Sequence, residues 1–222
     1  MIREFDFLVI GSGIAGMSFA LKVAHKGKVA LICKTELEEA NTFFAQGGIA
    51  SVTNTLVDNF DKHIEDTMIA GDWISDRAAV EKVVREAPGQ IKELIEWGVE
   101  FDKNDKGDFD LHKEGGHSEF RILHHKDNTG AEIQESLIRA VKTHPNIEIF
   151  NRHFAVEIIT QHHMGIIVTR HTPGIKCYGA YVLNEDNGAF YGSGIDCFGV
   201  LLRCGCHSSR SFASPQAADA RI

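Results

Sequence analysis

No stretch of this chain stays apolar for the roughly 20 residues that a membrane-spanning helix needs, so no membrane partner is expected. Basic residues are the minority: 23 Lys and Arg against 31 Asp and Glu give a net charge of −8 and a pI near 5.8. A nucleic-acid surface needs an excess of positive charge to displace phosphate counterions, so no nucleic-acid partner is expected either. Five cysteines in 222 residues are too few for a disulfide scaffold. The first residues enter an apolar segment without a basic-plus-apolar leader, which makes a cytoplasmic location the expectation. No internal repeat is evident.

The first glycine cluster carries the most information: Gly11, Ser12, Gly13, Ile14, Ala15 and Gly16. An apolar run over residues 5–10 precedes it and reads as a buried parallel strand; residues 17–21 follow it and read as a helix. A second apolar strand is expected over residues 29–32. In that context Gly11 permits the tight turn, Gly13 lets a pyrophosphate approach the backbone, and Gly16 lets helix and strand pack closely. The helix N-terminus offers free N–H groups and a partial positive charge. A bare βα turn is the plainer alternative. The second strand should end in an acid that holds a ribose. It ends instead in Cys33 and Lys34, leaving either Glu36 as the acid or Lys34 as a positive contact.

Residues 35–55 lack a helical period and read as an extended, ligand-facing loop. Helices are expected over 58–70, over 76–86 and 90–97 with a break at Pro88-Gly89, and over 129–144. Thr129 and Glu132 have capping-box spacing. Residues 104–125 read as a long polar loop or small hairpin. Strands are expected over 147–150 and 178–183, with a hairpin of 154–159 and 166–169 turning near Met164-Gly165. This order gives an α/β fold, a doubly wound, Rossmann-like domain with an antiparallel β addition. After about residue 187 the character changes: Lys and Glu disappear, and Cys and Ser cluster.

Two further constellations carry chemistry. In Asn41, Thr42, Phe43, Phe44, Ala45, Gln46, Gly47 and Gly48, aromatics sit beside exposed backbone N–H groups, which suits the edge of a flat redox ring. An ordinary hairpin with buried Phe is the alternative. Glu114, His117 and Arg121 flank paired glycines and offer a carboxylate, an imidazole and a guanidinium to a small polar substrate; a solvated loop is the alternative. His124-His125 could line a site, and His162-His163 reads as a turn. Cys197, Cys204, Cys206 and His207 do not have zinc-ligand spacing, so no metal site is expected.

Taken together, these motifs resemble the L-aspartate oxidase branch of the succinate dehydrogenase and fumarate reductase flavoprotein family. The matching stretches are IGSGIAGMSFAL, NTFFAQGGIASV, HIEDTMIAGDWISD, LIEWGVEFD, HKEGGHSEFRILHHKDNTG and HPNIEIF, in order over residues 1–188. The resemblance implies an FAD enzyme that oxidises L-aspartate to iminoaspartate for NAD biosynthesis. Oxygen or fumarate would re-oxidise the flavin, and quinolinate synthase would be a partner. It places Ser12, Gly13, Ile14 and Ala15 at the pyrophosphate, Lys34 near the adenosine, residues 41–48 along the flavin, and Phe154 and Ala155 at the adenine. Glu114 would orient the substrate through its ammonium group, with His117 and Arg121 in the same loop. Succinate dehydrogenases carry a flavin-linking His where this chain has Asn41, so the FAD is expected to be non-covalent.

The family's next strand, ending in Ala-Thr-Gly-Gly, and its capping and helical domains are not recognisable after residue 188. A frameshifted tail over 189–222 and an inactive, truncated chain are therefore the expectation. A soluble fumarate reductase and a non-catalytic nucleotide-binding fragment are the competing readings.

Overall fold

The computed structural model describes residues 2–169 and 171–195. In chain order these form β1 (Ile2–Phe5), β2 (Phe7–Ile10), α1 (Ile14–Val23), β3 (Val29–Ile32), β4 (Ile49–Ala50), α2 (Phe60–Ala70) and α3 (Arg77–Glu96). Then follow β5 (Ile122–Leu123), α4 (Thr129–Thr143), β6 (Ile147–Phe150), β7 (His153–Thr160), β8 (Cys177–Asn184) and β9 (Phe190–Ile195). No helix among the described residues is long and apolar enough to cross a membrane.

The apolar run over 5–10 is split between two strands. Asp6 interrupts it, its carboxylate accepting a hydrogen bond from the Lys28 amide at 2.7 Å. The amides of Asp6 and Phe7 both donate to the Lys28 carbonyl. The chain bends at this clasp, so β1 and β2 enter different sheets.

β2, β3 and β6 form a parallel sheet in that order. Successive side chains point to opposite faces. Val9, Val29 and Leu31 pack with Met17 and Ala20 of α1 and Leu137 and Val141 of α4. Leu8, Ala30 and Ile32 pack with Ala180 and Val182 of β8. Both faces are covered, which is why the strands are apolar at nearly every position. The second sheet has the order β1-β9-β8-β7, with β1 parallel to β9 and the other pairs antiparallel. This is the expected α/β, Rossmann-like domain with an antiparallel addition. A strand does follow β8: β9 pairs with it from Gly179↔Gly194 to Leu183↔Phe190. The stretch beyond, with Cys197, Cys204, Cys206 and His207, lies outside the described residues.

Three local expectations are corrected. First, β7 pairs with β8 rather than with 166–169. The chain leaves β7 through a 3₁₀ turn, Gln161–Met164, that ends at Gly165 with φ of +80°. Ile166 and Ile167 are 52% and 84% exposed, so their apolar character meets no sheet. Second, α3 runs unbroken through Pro88. Val84 lies before the proline and Ile91 and Leu94 after it, all buried at helical spacing, so packing on both sides keeps the helix continuous. Proline still removes one helix hydrogen bond. Pro88→Ala should therefore stabilise the fold by about 1–3 kcal/mol, read as a raised denaturant midpoint at unchanged slope. Third, Thr129 opens α4 rather than capping it. Its hydroxyl accepts from the His125 amide at 3.1 Å, while Glu132 accepts from the Glu100 amide at 3.1 Å and the Ser136 hydroxyl at 2.9 Å. Both side chains of the expected capping box are engaged in other contacts.

Candidate functional site

The site forms where β2 and β3 end, at their carboxyl edges, the usual position for a ligand in an open α/β sheet. Gly11 leaves β2 with φ of +112°, a backbone that favours glycine, and its amide donates to the Ile32 carbonyl at 2.8 Å. A Cβ on Gly16 would lie 1.9 Å from the Gly11 carbonyl oxygen, so only glycine lets α1 pack this closely. A Cβ on Gly13 would meet nothing nearer than the Thr42 hydroxyl at 3.5 Å. Gly13 thus serves no packing need. Its bare Cα faces the cleft that begins here.

That cleft, ≈ 280 Å³, is lined by Gly11, Ser12 and Gly13, by Cys33, Lys34 and Thr35 after β3, by Glu39, Ala40 and Asn41, and by His153, Phe154 and Ala155. Seven expected cofactor residues therefore share one wall system. Ile14, Ala15 and Gly16 form the first turn of α1, where amides lack preceding carbonyls. The Thr42 hydroxyl accepts one of them, from Ile14 at 3.1 Å, and so ties the 41–48 loop to the glycine turn. β7 reaches the cleft because the His153 amide donates to the Cys33 carbonyl at 2.9 Å. Glu36 does not line the cleft, and its carboxylate accepts from Asn151 at 2.6 Å. Lys34 and, unforeseen in the sequence, Glu39 face the cleft.

Two buried residues missed in the sequence hold this end together. Gln134 of α4 is fully buried, and its amide nitrogen donates to the carbonyls of Ser12 at 2.9 Å and Leu37 at 2.7 Å. It joins the glycine turn to the chain after β3. Cys33 donates to the Asn151 side chain at 3.1 Å. Burial, with Glu36 adding to it, pushes the thiol up to about 12, so it stays protonated and unreactive.

The rest of the 41–48 loop is placed as follows. Phe43 and Phe44 meet edge to face with centroids 5.4 Å apart, and Phe44 is 71% exposed. The Ala45 carbonyl accepts from the Gly130 amide at 3.0 Å. Gln46 and Gly47 are exposed. Gly48 packs against β5, where a Cβ would come within 2.3 Å of Ile122 and the Leu123 carbonyl. The ribbon of β4 and β5 joins this loop to the 113–121 loop, with the Ser51 amide donating to the Arg121 carbonyl at 2.9 Å. Two-residue strands leave too little periodicity to be read from sequence.

Of the expected substrate residues, Glu114 is exposed and its carbonyl accepts from the His117 amide at 3.2 Å. Arg121 is placed otherwise than expected. It is fully buried, with Nε and Nη2 each 2.8 Å from the Asp58 carboxylate and Nη1 2.5 Å from Asp66. Burial disfavours the Asp66 carboxylate, but hydrogen bonds from the Ser118 amide and hydroxyl and from Arg121 outweigh it and hold its pKa below 3.8. Arg121 therefore clamps the base of the loop to α2 and faces no cleft.

His63 of α2 stands beside this cluster, its ring 6.0 Å from that of His117. Burial lowers its pKa below 6.5; Arg121 and His117 act in the same direction, against Asp58 and Asp66. The fold holds the neutral ring. Its contribution is fully present above the ordinary 6.5 and is lost as pH falls through the lowered value. His63→Gln should thus reduce the drop in melting temperature between about pH 7.5 and about pH 5.

Comparison with known proteins agrees with this geometry. A family model described as "FAD binding domain" matches residues 6–212. L-aspartate oxidase 2-a, chloroplastic, of Nicotiana tabacum is 48% identical over 153 residues, covering 69% of this chain and 24% of that protein. L-aspartate oxidase of Vibrio cholerae is 45% identical over 158 residues, covering 69% and 29%. The chain thus spans between a quarter and a third of these relatives' length. Among solved structures, a mutant of E. coli quinol fumarate reductase FrdA superposes with a TM-score of 0.78 at 25% identity, covering 91% of this chain and 33% of that one. Mycobacterium smegmatis Sdh1 gives 0.75 at 26% identity, covering 90% and 34%. An open glycine turn, a cation at the cleft and a bare Cα at the first helix turn suit the pyrophosphate and adenosine of a dinucleotide, and the chain belongs to the FAD-binding domain family, with FAD as its cofactor.

Proposed function

We propose that this chain is the flavin-binding part of an enzyme that oxidises L-aspartate to iminoaspartate, the step that feeds quinolinate and NAD formation. The observation that carries this reading is a contrast in identity. L-aspartate oxidases match at 38–48%, whereas the fumarate reductase and succinate dehydrogenase structures match at 25–26%. Bound FAD supplies an acceptor for the two electrons that leave the substrate, and oxygen or fumarate takes them on. Quinolinate synthase is the partner that uses the product.

In this reading the glycine turn from Gly11 to Gly16 holds the pyrophosphate. Lys34, Phe154 and Ala155 hold the adenosine end, and residues 41–48 run along the flavin. Asn41 lines the cleft and has no nucleophilic ring nitrogen, so the FAD is held without a covalent bond. Glu114 reaches the substrate ammonium group, with His117 beside it. Arg121 steadies their loop instead of gripping a carboxylate.

In this reading the 222-residue chain is inactive on its own. Lys113 donates to the Ser118 carbonyl at 2.9 Å and Arg121 is enclosed by Asp58 and Asp66. Arg121, the guanidinium of the loop that carries Glu114, is therefore not available to the two substrate carboxylates. Two measurements test the proposal. The chain reconstituted with FAD and precipitated in acid should release all its flavin to the supernatant and form no peroxide with aspartate. A chimera in which residues 2–187 replace the matching part of an L-aspartate oxidase should oxidise aspartate and not succinate. Flavin retained on the pellet overturns the non-covalent assignment, and a flavin-loaded chimera that prefers succinate overturns the substrate.

A further inference from the structure

Outside the cleft, the segment after α3 and the end of β5 bring together Asp110, His112 and His124. Their ligand atoms all lie within 4.8 Å of one another. The two imidazoles stack, with centroids 3.6 Å apart and planes 23° apart, which sets their ring edges side by side. His124 Nε2 stands 3.8 Å from the Asp110 carboxylate. Ligand atoms on a tetrahedral zinc ion are about 3.3 Å apart, given metal–ligand bonds of about 2.0–2.1 Å, so a small closure of this trio, with the exposed His112 ring turned out of the stack to aim its lone pair, encloses an ion.

A second observation points to a ligand. The His124 side chain is only 9% exposed, yet neither ring nitrogen makes a hydrogen bond among the described residues. Leaving a buried polar atom unmatched costs about 1–3 kcal/mol, and Nε2 is the atom that faces Asp110. On the other edge, Nδ1 lies 3.2 Å from Asp102 Oδ2. Asp102 is itself anchored by the Lys126 amide at 2.6 Å. A carboxylate on one imidazole nitrogen and a metal on the other is the usual outer-sphere arrangement of a histidine ligand.

We propose that Asp110, His112 and His124 form a binding site for a divalent transition-metal ion, with zinc as the best match. Two imidazoles and one carboxylate are borderline ligands that suit zinc over calcium or magnesium. Asp110 and His112 are exposed, so water completes the coordination. Asp102 orients His124 from behind. His112 and His124 stand at the two feet of the loop that carries Glu114 and His117, already joined by the His112↔Ile122 bridge. An ion there closes the base of that loop.

The test is titration of the purified 222-residue chain with Co²⁺ under reducing conditions, followed by displacement with Zn²⁺. A d–d absorption band should saturate, and Zn²⁺ should abolish it. Asp110→Asn and His112→Asn alter exposed side chains and should each weaken binding by roughly tenfold or more, and Asp102→Asn by a similar factor. Circular dichroism of each variant separates lost binding from lost fold. Absence of saturable Co²⁺ binding overturns the proposal. So does a band that the folded Asp110→Asn/His112→Asn double variant retains at full affinity.

Discussion

Replacing Gly16 with alanine should unfold the nucleotide end of this chain, whereas replacing Gly13 should leave it folded and strip it of FAD. The two positions are three residues apart in one motif and face opposite constraints. At Gly16 the added methyl would sit 1.9 Å from the Gly11 carbonyl oxygen and 3.0 Å from its carbon, both backbone atoms that cannot swing aside. Helix and strand must separate, at a cost of about 3 kcal/mol or more. For a chain of this size that lowers the melting temperature by roughly 6–12 °C. At Gly13 the backbone has φ of −74° and ψ of 177°, which alanine adopts freely. The stability of Gly13→Ala should hold or rise by about 0.5 kcal/mol, because the unfolded chain loses freedom. The methyl instead occupies the space a phosphate needs, and losing about 2–3 kcal/mol of contact weakens FAD by roughly 30–100-fold. Thermal unfolding without flavin, followed by flavin titration, reads both effects. Equal stability losses in the two variants would falsify the division of labour.

Arg121→Met should be the most destabilising substitution in the 113–121 loop. It leaves the Asp58 carboxylate, 3% exposed, without its partner. Breaking a buried pair by removing one side costs about 3–5 kcal/mol, because the other charge remains buried. The expected fall in melting temperature is roughly 6–20 °C. Arg121→Lys keeps the charge but loses the two-pronged grip on Asp58, and should recover only part of the loss. Asp66 gives the pH signature. Its folded pKa is depressed, so its stabilisation is fully present above the ordinary 3.8 and disappears as pH falls through the depressed value. Asp66→Asn should flatten that acid limb. An arginine whose role was to grip substrate would behave differently, with unchanged stability and a raised KM. Retained melting temperature in Arg121→Met therefore sinks the structural assignment.

Much of the site was legible because glycine turns and helix ends are local. The Gly11–Gly16 turn needs only its flanking strand and helix to be read, and Gly11 and Gly16 have the turn and packing roles their positions imply. The Asp6 clasp was hidden, since one acid in an apolar run looks like noise until Lys28 is placed beside it. Pro88 misled because local propensity argues for a break, while the buried residues on both sides of it, Val84, Ile91 and Leu94, argue for continuity. They prevail because packing acts over the whole helix. Ile166 and Ile167 misled for the converse reason: their pattern was that of a strand, but among the described residues no strand pairs with them. Arg121 with Asp58 and Asp66, and Gln134 with Ser12 and Leu37, join distant parts of the chain. No spacing rule encodes such contacts; they exist only once the fold has brought the segments together.

The split at Asp6 has a consequence for how the chain is made. β1 pairs in parallel with β9, Ile2 lying opposite Gly192, so nearly the whole described chain separates the two partners. At synthesis rates of about 5–20 residues per second, β1 waits roughly 10–40 seconds with an unpaired edge before its neighbour exists. β2 meets β3 within a couple of dozen residues, but β3 must wait for β6 at Ile147. The topology therefore sets a late, long-range closing step and a slow-folding chain. For that interval the open edge of β1 is a template for any other extended segment nearby.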